Sequence, residues 1–221
     1  MMTLPTNPYQ LPQIWYHGTI QGHARSIAHN HMHFGEDNAL SDFGPGFYLT
    51  SNLEQAKRWA ARKAAFHNRH EPKKAKRESR KPIFMNGSVV EFHLDQDQLI
   101  DPNKQMNYHF FEVTDNEWSL FILGNRCSKV PNALDLSFNN KRRTFDYVYG
   151  PMADGADIWD DILKIEKGTM DPEDFLEAVK GFNFPKEHQL SVHTEKASEC
   201  FIYRRCITVA PQTQRTHGAR R

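Results

Sequence analysis

The sequence predicts an α+β fold, and three patterns carry that prediction. Leu53, Ala56, Trp59 and Ala60 recur at helical spacing, as do Ile158, Ile162 and Ile165. Val90, Phe92 and Leu94 alternate with Glu91, His93 and Asp95, the pattern of a half-buried strand. Short strands and helices follow one another in no regular order, which argues against a doubly wound parallel sheet.

Taken along the chain, Ile14 to His17 reads as a short strand ending at a His-Gly pair. Thr19 to His29 reads as a helix, and the polar run from there to Gly46 as a loop. Phe47 to Thr50 is a second strand. Ser51 or Asn52 caps a helix expected to reach about His67. The stretch 68–82 is rich in Lys and Arg, holds Pro72 and Pro82, and reads as a solvated loop. Asp115 caps a helix that carries Trp118, Phe121 and Ile122, with Arg126 a turn later. Phe145 to Gly150 is a strand. Asp171-Pro172-Glu173 starts a helix that Gly181 stops. Gln189 to His193 is a strand, Thr194 caps the next helix, and Phe201 to Val209 is the last strand. One domain is expected over 14–209, after an extension over 1–13 and before a disordered tail over 210–221.

Composition excludes more than it names. The chain has 221 residues and a net charge of +1, so overall charge selects no partner. Mean hydropathy is -0.72, and no run approaches the roughly 18 apolar residues of a membrane span. Met1 to Gln13 shows neither a basic n-region nor an apolar h-region, so no signal peptide is read and the expected location is cytoplasmic, in the protein's own cell or a target cell. Cys127, Cys200 and Cys206 fit neither a zinc motif nor a disulfide framework. His23, His29, His31 and His33 cluster, but without an HExxH spacing they read as surface or site-lining residues, and no metal is expected.

Two glycine-bearing segments stand out, Trp15-Tyr16-His17-Gly18-Thr19 and Asp42-Phe43-Gly44-Pro45-Gly46-Phe47-Tyr48-Leu49-Thr50. Glycine allows a close backbone approach to a ligand, beside an imidazole in one segment and a flat ring in the other. A third segment, Gln189-Leu190-Ser191-Val192-His193, places its polar residues on one strand face, which by periodicity alone is a solvated face. These segments resemble the ADP-ribosyltransferase superfamily of the diphtheria-toxin and poly(ADP-ribose) polymerase type, with its His, Tyr and Glu on three strands. They are more similar still to a bacterial family catalogued only as a domain of unknown function with that fold. The similarity lies at YHG, DFGPGFYLT with EQAKRWA, FILGNR, FDYVYGPMADG and QLSVHTEKA, from about Trp15 to about Cys200.

The resemblance implies a split sandwich of two small antiparallel sheets with NAD in its cleft and no metal. It implies that His17 bonds the adenosine ribose, that the Gly18 backbone holds the nicotinamide carboxamide, and that Tyr48 stacks on the nicotinamide ring. Gln189 falls where the catalytic Glu of most relatives sits. Thr19, Phe47 and Ser191 are further NAD-contact candidates, with His193, Glu195 and Arg126 behind them. A neutral amide still accepts a hydrogen bond but offers no charge to an oxocarbenium-like centre. The polymerases of that superfamily use Glu to activate the acceptor, so single transfer is expected in place of chain elongation. Glu195 equally suits the positive end of the helix after Thr194. The expectation is a mono-ADP-ribosyltransferase, a bacterial toxin, effector or defence protein, acting on a nucleic acid or a protein and countered by an antitoxin or immunity partner. NAD hydrolysis is one alternative. A non-catalytic module binding NAD or nucleic acid through Lys57 to Lys81 is another.

Overall fold

Gln13 O accepts from Leu94 N, and this bond sets the register of the first sheet. Ile14–Ile20 (β1) pairs antiparallel with Gly87–Leu94 (β3), which pairs antiparallel with Phe201–Val209 (β7). The second sheet runs Phe47–Leu49 (β2), Asn183–Val192 (β6), Tyr147–Ala153 (β5) and Tyr108–Phe110 (β4). The computed structural model describes residues 5–34, 40–127, 138–153, 156–181 and 183–210. The tail expected to be disordered lies, apart from residue 210, outside the described residues.

The two sheets face each other across one core. Trp15, Val90, Phe92 and Leu94 of the first meet Phe47, Leu49, Tyr147, Tyr149, Leu190 and Val192 of the second. This is the expected α+β sandwich with one correction: β4 pairs parallel with β5, so the second sheet is mixed rather than antiparallel. The helices are Gln21–Asn30 (α1), Leu53–Arg77 (α2), Gln96–Leu99 (α3), Asn116–Arg126 (α4), Ala156–Glu166 (α5), Pro172–Gly181 (α6) and Glu195–Ser198 (α7). Helices α4, α5 and α6 cover the outer face of the second sheet through Trp118, Phe121, Ile158, Ile162, Phe175 and Val179. Helix α2 covers the outer face of the first through Ala56 and Ala60 against Val89. The strand expected to be half-buried is therefore buried on both faces, and even Glu91 is only 9% exposed, paired to Arg205 at 2.9 Å.

The solvated loop expected over 68–82 is corrected as well, because α2 continues through Pro72 to Arg77. Segment 78–86 folds back along the helix and holds it. Asn68 accepts from Met85 N at 2.8 Å and donates to Met85 O at 3.0 Å. Buried Glu71 accepts from Ile83 N at 2.9 Å and is ion-paired with Arg80. Proline removes one helical bond, and these tertiary bonds offset that loss. Ahead of β1, Leu11 is buried in the core and Pro8 O accepts from Gln96, so residues 8–11 are packed against the domain. Among the described residues, no helix is long and apolar enough to cross a membrane.

Candidate functional site

Backbone pairing alternates along an antiparallel strand, so the odd residues of β1 bond β3 and the even ones point the other way. Tyr16 N and O both bond Thr50, at 2.8 and 2.9 Å, and this bridge joins the two sheets. Two residues on, the N–H and C=O of Gly18 face the same edge, where β1 has run past its partner. A cleft of about 300 Å³ opens there, lined by His17, Gly18, Tyr48, Gln189 and Arg126 among others.

Each of these groups is fixed. His17 Nδ1 lies 2.7 Å from Tyr48 O, and its ring stacks on Phe47 at 4.2 Å. Burial, reinforced by the Lys63 charge, lowers its pKa to about 3. The imidazole is therefore neutral near pH 7: Nδ1–H donates to the carbonyl, and Nε2 is left as an acceptor. Tyr48 hydroxyl donates to Gly44 O at 2.7 Å and accepts from Phe43 N at 3.0 Å. Burial raises its pKa, so the ring is a wall with no proton to exchange at neutral pH. Gly18 is required by packing: a Cβ there would overlap the Ala56 carbonyl oxygen of α2 and lie 3.0 Å from Ala60 N.

Gln189 Nε2 donates to Asp42 Oδ2 at 2.6 Å. A carboxylate can only accept, so the amide is oriented with its nitrogen on Asp42 and Oε1 as its remaining acceptor. Asp42 is 4% exposed and is held by Arg126 Nε at 2.8 Å, Arg126 Nη2 at 2.6 Å and Ala153 N at 3.0 Å. Arg126 in turn lies over the Trp159 ring at 5.5 Å. A buried carboxylate thus stands next to the amide, with its charge matched by an arginine at the cleft wall.

A model of the family described as "Protein of unknown function (DUF3990)" matches residues 14–203. The chain belongs to the DUF3990 family. No curated protein and no solved structure matches it. Every cleft residue named above lies inside the DUF3990 span.

The DUF3990 domain separates the sequence candidates into groups. His17, Gly18, Tyr48, Gln189 and Arg126 meet at the cleft, while Thr19 and Phe47 line a neighbouring groove that shares His17. Ser191 and His193 are buried behind the wall, in contrast to the solvated face read from periodicity. Ser191 lies opposite Val148, on the sheet face that α4, α5 and α6 cover. His193 Nδ1 lies 2.9 Å from Pro45 O, and its Nε2 lies 2.7 Å from Ser191 Oγ. Burial lowers its pKa to about 4, so the neutral ring donates to Pro45 O and accepts from the hydroxyl. This pair fastens the Gly44–Gly46 turn from behind and touches nothing in the cleft. Glu195 is exposed in the first turn of α7, which Thr194 caps, and is not part of the cleft wall.

Sequence reasoning missed Asp42, Gln55 and Trp59 as wall residues. Asp42 did carry a signal, since it opens the Asp-Phe-Gly-Pro-Gly segment. Gln55 accepts from Thr50 Oγ1 at 2.6 Å, and a lone polar residue on a helical stripe carries no such signal.

Proposed function

We propose that this DUF3990 protein binds NAD in the cleft and transfers its ADP-ribose moiety once to a macromolecular acceptor. The observation that carries the reading is the convergence on one cleft of a neutral imidazole acceptor, a strand-edge peptide turned away from its sheet partner, a fixed aromatic ring and an oriented amide oxygen. These groups match parts of both halves of NAD. His17 Nε2 accepts from the adenosine ribose. The N–H and C=O of Gly18 pair with the carboxamide, and Tyr48 stacks on the pyridinium. Gln189 Oε1 accepts from a hydroxyl of the reacting ribose.

The glycosidic C–N bond breaks and its electron pair leaves with nicotinamide, which departs neutral. The ribose becomes oxocarbenium-like, and the acceptor's lone pair closes the new bond while its proton passes to solvent. Holding donor and acceptor in line supplies most of the acceleration such a site can offer. An amide at position 189 removes no proton from an acceptor, in keeping with a single transfer. Such an enzyme fits a bacterial toxin, effector or defence role, with an antitoxin or immunity protein as its counterpart.

The test follows label from adenylate-labelled NAD into lysate macromolecules, with the wild type and with His17→Ala and Tyr48→Ala. Incorporation by the wild type and its loss in both folded variants is expected. Unchanged incorporation in both variants sinks the site assignment. Free ADP-ribose without incorporation replaces transfer with NAD hydrolysis.

A further inference from the structure

A side-chain amide carries an oxygen at one end and a nitrogen at the other, and the two ends are nearly the same size. The shape of the cleft therefore does not decide which end of Gln189 a ligand meets. The hydrogen-bond partner decides it. That partner is Asp42, whose Oδ2 accepts from Gln189 Nε2 at 2.6 Å in a buried bond. The amide turned round would set its oxygen against a carboxylate oxygen at the same place, with no proton between them.

Asp42 cannot follow such a turn. Arg126 reaches its Oδ1 through Nε at 2.8 Å and Nη2 at 2.6 Å, and Ala153 N reaches Oδ2 at 3.0 Å. With Gln189 these make four donor contacts, and only a side chain that accepts at both ends suits them. The main chain is held as well, since Asn125 Nδ2 donates to Asp42 O at 3.2 Å. The next two residues fasten the aromatic wall: Phe43 N donates to the Tyr48 hydroxyl, and Gly44 O accepts from it. One short segment thus sets both the amide and the ring.

We propose that Asp42 is a positioning residue for the transfer: it fixes the polarity of position 189, so that the reacting ribose meets an oxygen there and not an N–H. The orientation rests on the Asp42 contacts alone, and its use rests on the NAD reading. Asp42→Asn keeps the size of the side chain and exchanges one acceptor end for a donor. Turned toward Arg126, the new NH2 would face the N–H groups of a cation. The oxygen therefore stays on the arginine, and Nδ2 takes the place of Oδ2. Gln189 must then turn to offer Oε1 to this donor, and its own Nε2 swings into the cleft, where a ribose hydroxyl loses its acceptor. Adding Gln189→Glu answers the new donor: one carboxylate oxygen accepts from it, and the other faces the cleft. Ala153 N loses its acceptor equally in both variants, so the difference between them reads position 189.

The test takes the full chain with isotope-labelled side-chain amides, as wild type, as Asp42→Asn and as the double variant Asp42→Asn, Gln189→Glu. Amide proton shifts and hydrogen exchange at positions 42 and 189 are read by magnetic resonance, and NAD affinity is measured on the same samples. The wild type is expected to show a downfield, slowly exchanging Gln189 Nε2 proton. In Asp42→Asn the protected amide moves from position 189 to position 42, and NAD binds at least about tenfold more weakly. In the double variant the amide at 42 shifts further downfield against its charged acceptor, and most of the affinity returns. Free exchange at Gln189 in the wild type overturns the proposal, and that reading needs no variant to fold. A protected Gln189 amide in Asp42→Asn, NAD binding undiminished there, or a double variant that binds no better than Asp42→Asn overturns it equally. A protected amide in a wild type that binds no NAD supports the orientation and overturns the donor reading instead.

Discussion

Replacing Gln189 by Glu restores the residue type of the resembling superfamily, and it is expected to damage this protein. The new carboxylate would stand where an amide nitrogen now lies 2.6 Å from Asp42. Two charges at that distance repel by about 6 kcal/mol at an effective dielectric of about 20. Taking up a proton costs less. Keeping a glutamic acid neutral at pH 7 costs about 4 kcal/mol, from a reference pKa near 4.3 and about 1.4 kcal/mol per pH unit. Arg126 already serves Asp42 through two nitrogens and offsets part of this. The expected loss at pH 7 is therefore about 2–4 kcal/mol, a large share of a stability of about 5–15 kcal/mol. The sign follows from linkage: the folded pKa of the new acid lies above its unfolded value. The penalty therefore begins near pH 4.3, grows as pH rises, and amounts to about 1 kcal/mol near pH 5. Urea unfolding of Gln189→Glu and the wild type at pH 5 and pH 7 measures it. Adding Asp42→Asn removes the pH-dependent part and leaves the loss of an acceptor for Ala153 N. Equal stability of Gln189→Glu and the wild type at pH 7, or a difference that ignores pH, refutes the reasoning.

Gly18→Ala drives a methyl into the Ala56 carbonyl, so α2 must lift from β1; thermal unfolding is expected to show a loss of several kcal/mol, and a neutral effect contradicts the packing. The lowered pKa values of His17 and His193 mean the unfolded state binds more protons below about pH 6.5; stability should be full above that value and fall through about pH 4 and 3, read as a falling urea midpoint. Arg80→Ala releases Glu71, whose pKa this partner holds at about 2, and loosens the 78–86 return segment; faster hydrogen exchange at the Ile83 and Met85 amides is expected, with the strands of the second sheet still protected.

Much of this was legible because it is local. Asp115, Thr194 and the Asp171-Pro172 pair mark helix starts by their own chemistry, and α4, α6 and α7 begin there. Strand β7 carries enough branched and aromatic residues to be read end to end. The misses are tertiary. Pro72 and the surrounding lysines read as a loop because the bonds from Asn68 and Glu71 to segment 78–86 join residues 9 to 17 positions apart. Three residues of β4 carry no period. The face of Ser191 and His193 reads as solvated because nothing nearby announces that α4, α5 and α6 lie over it. Gln189 was found at the cleft, and the acid that orients it sits 147 positions away.

The close seating of α2 on Gly18 and Gly87 leaves the spacing between helix and sheet fixed by main chain against main chain. Exposed side chains of the same helix do not enter that spacing. Changes at exposed positions such as Arg62 and Phe66 can therefore leave the gauge of the cleft as it is. Ala56 and Ala60 set the gauge, and a larger residue at either would change the distance between the walls before it changed any ligand contact. The aperture is thus written in main chain and small residues, and the exposed surface of the helix can drift while it is held.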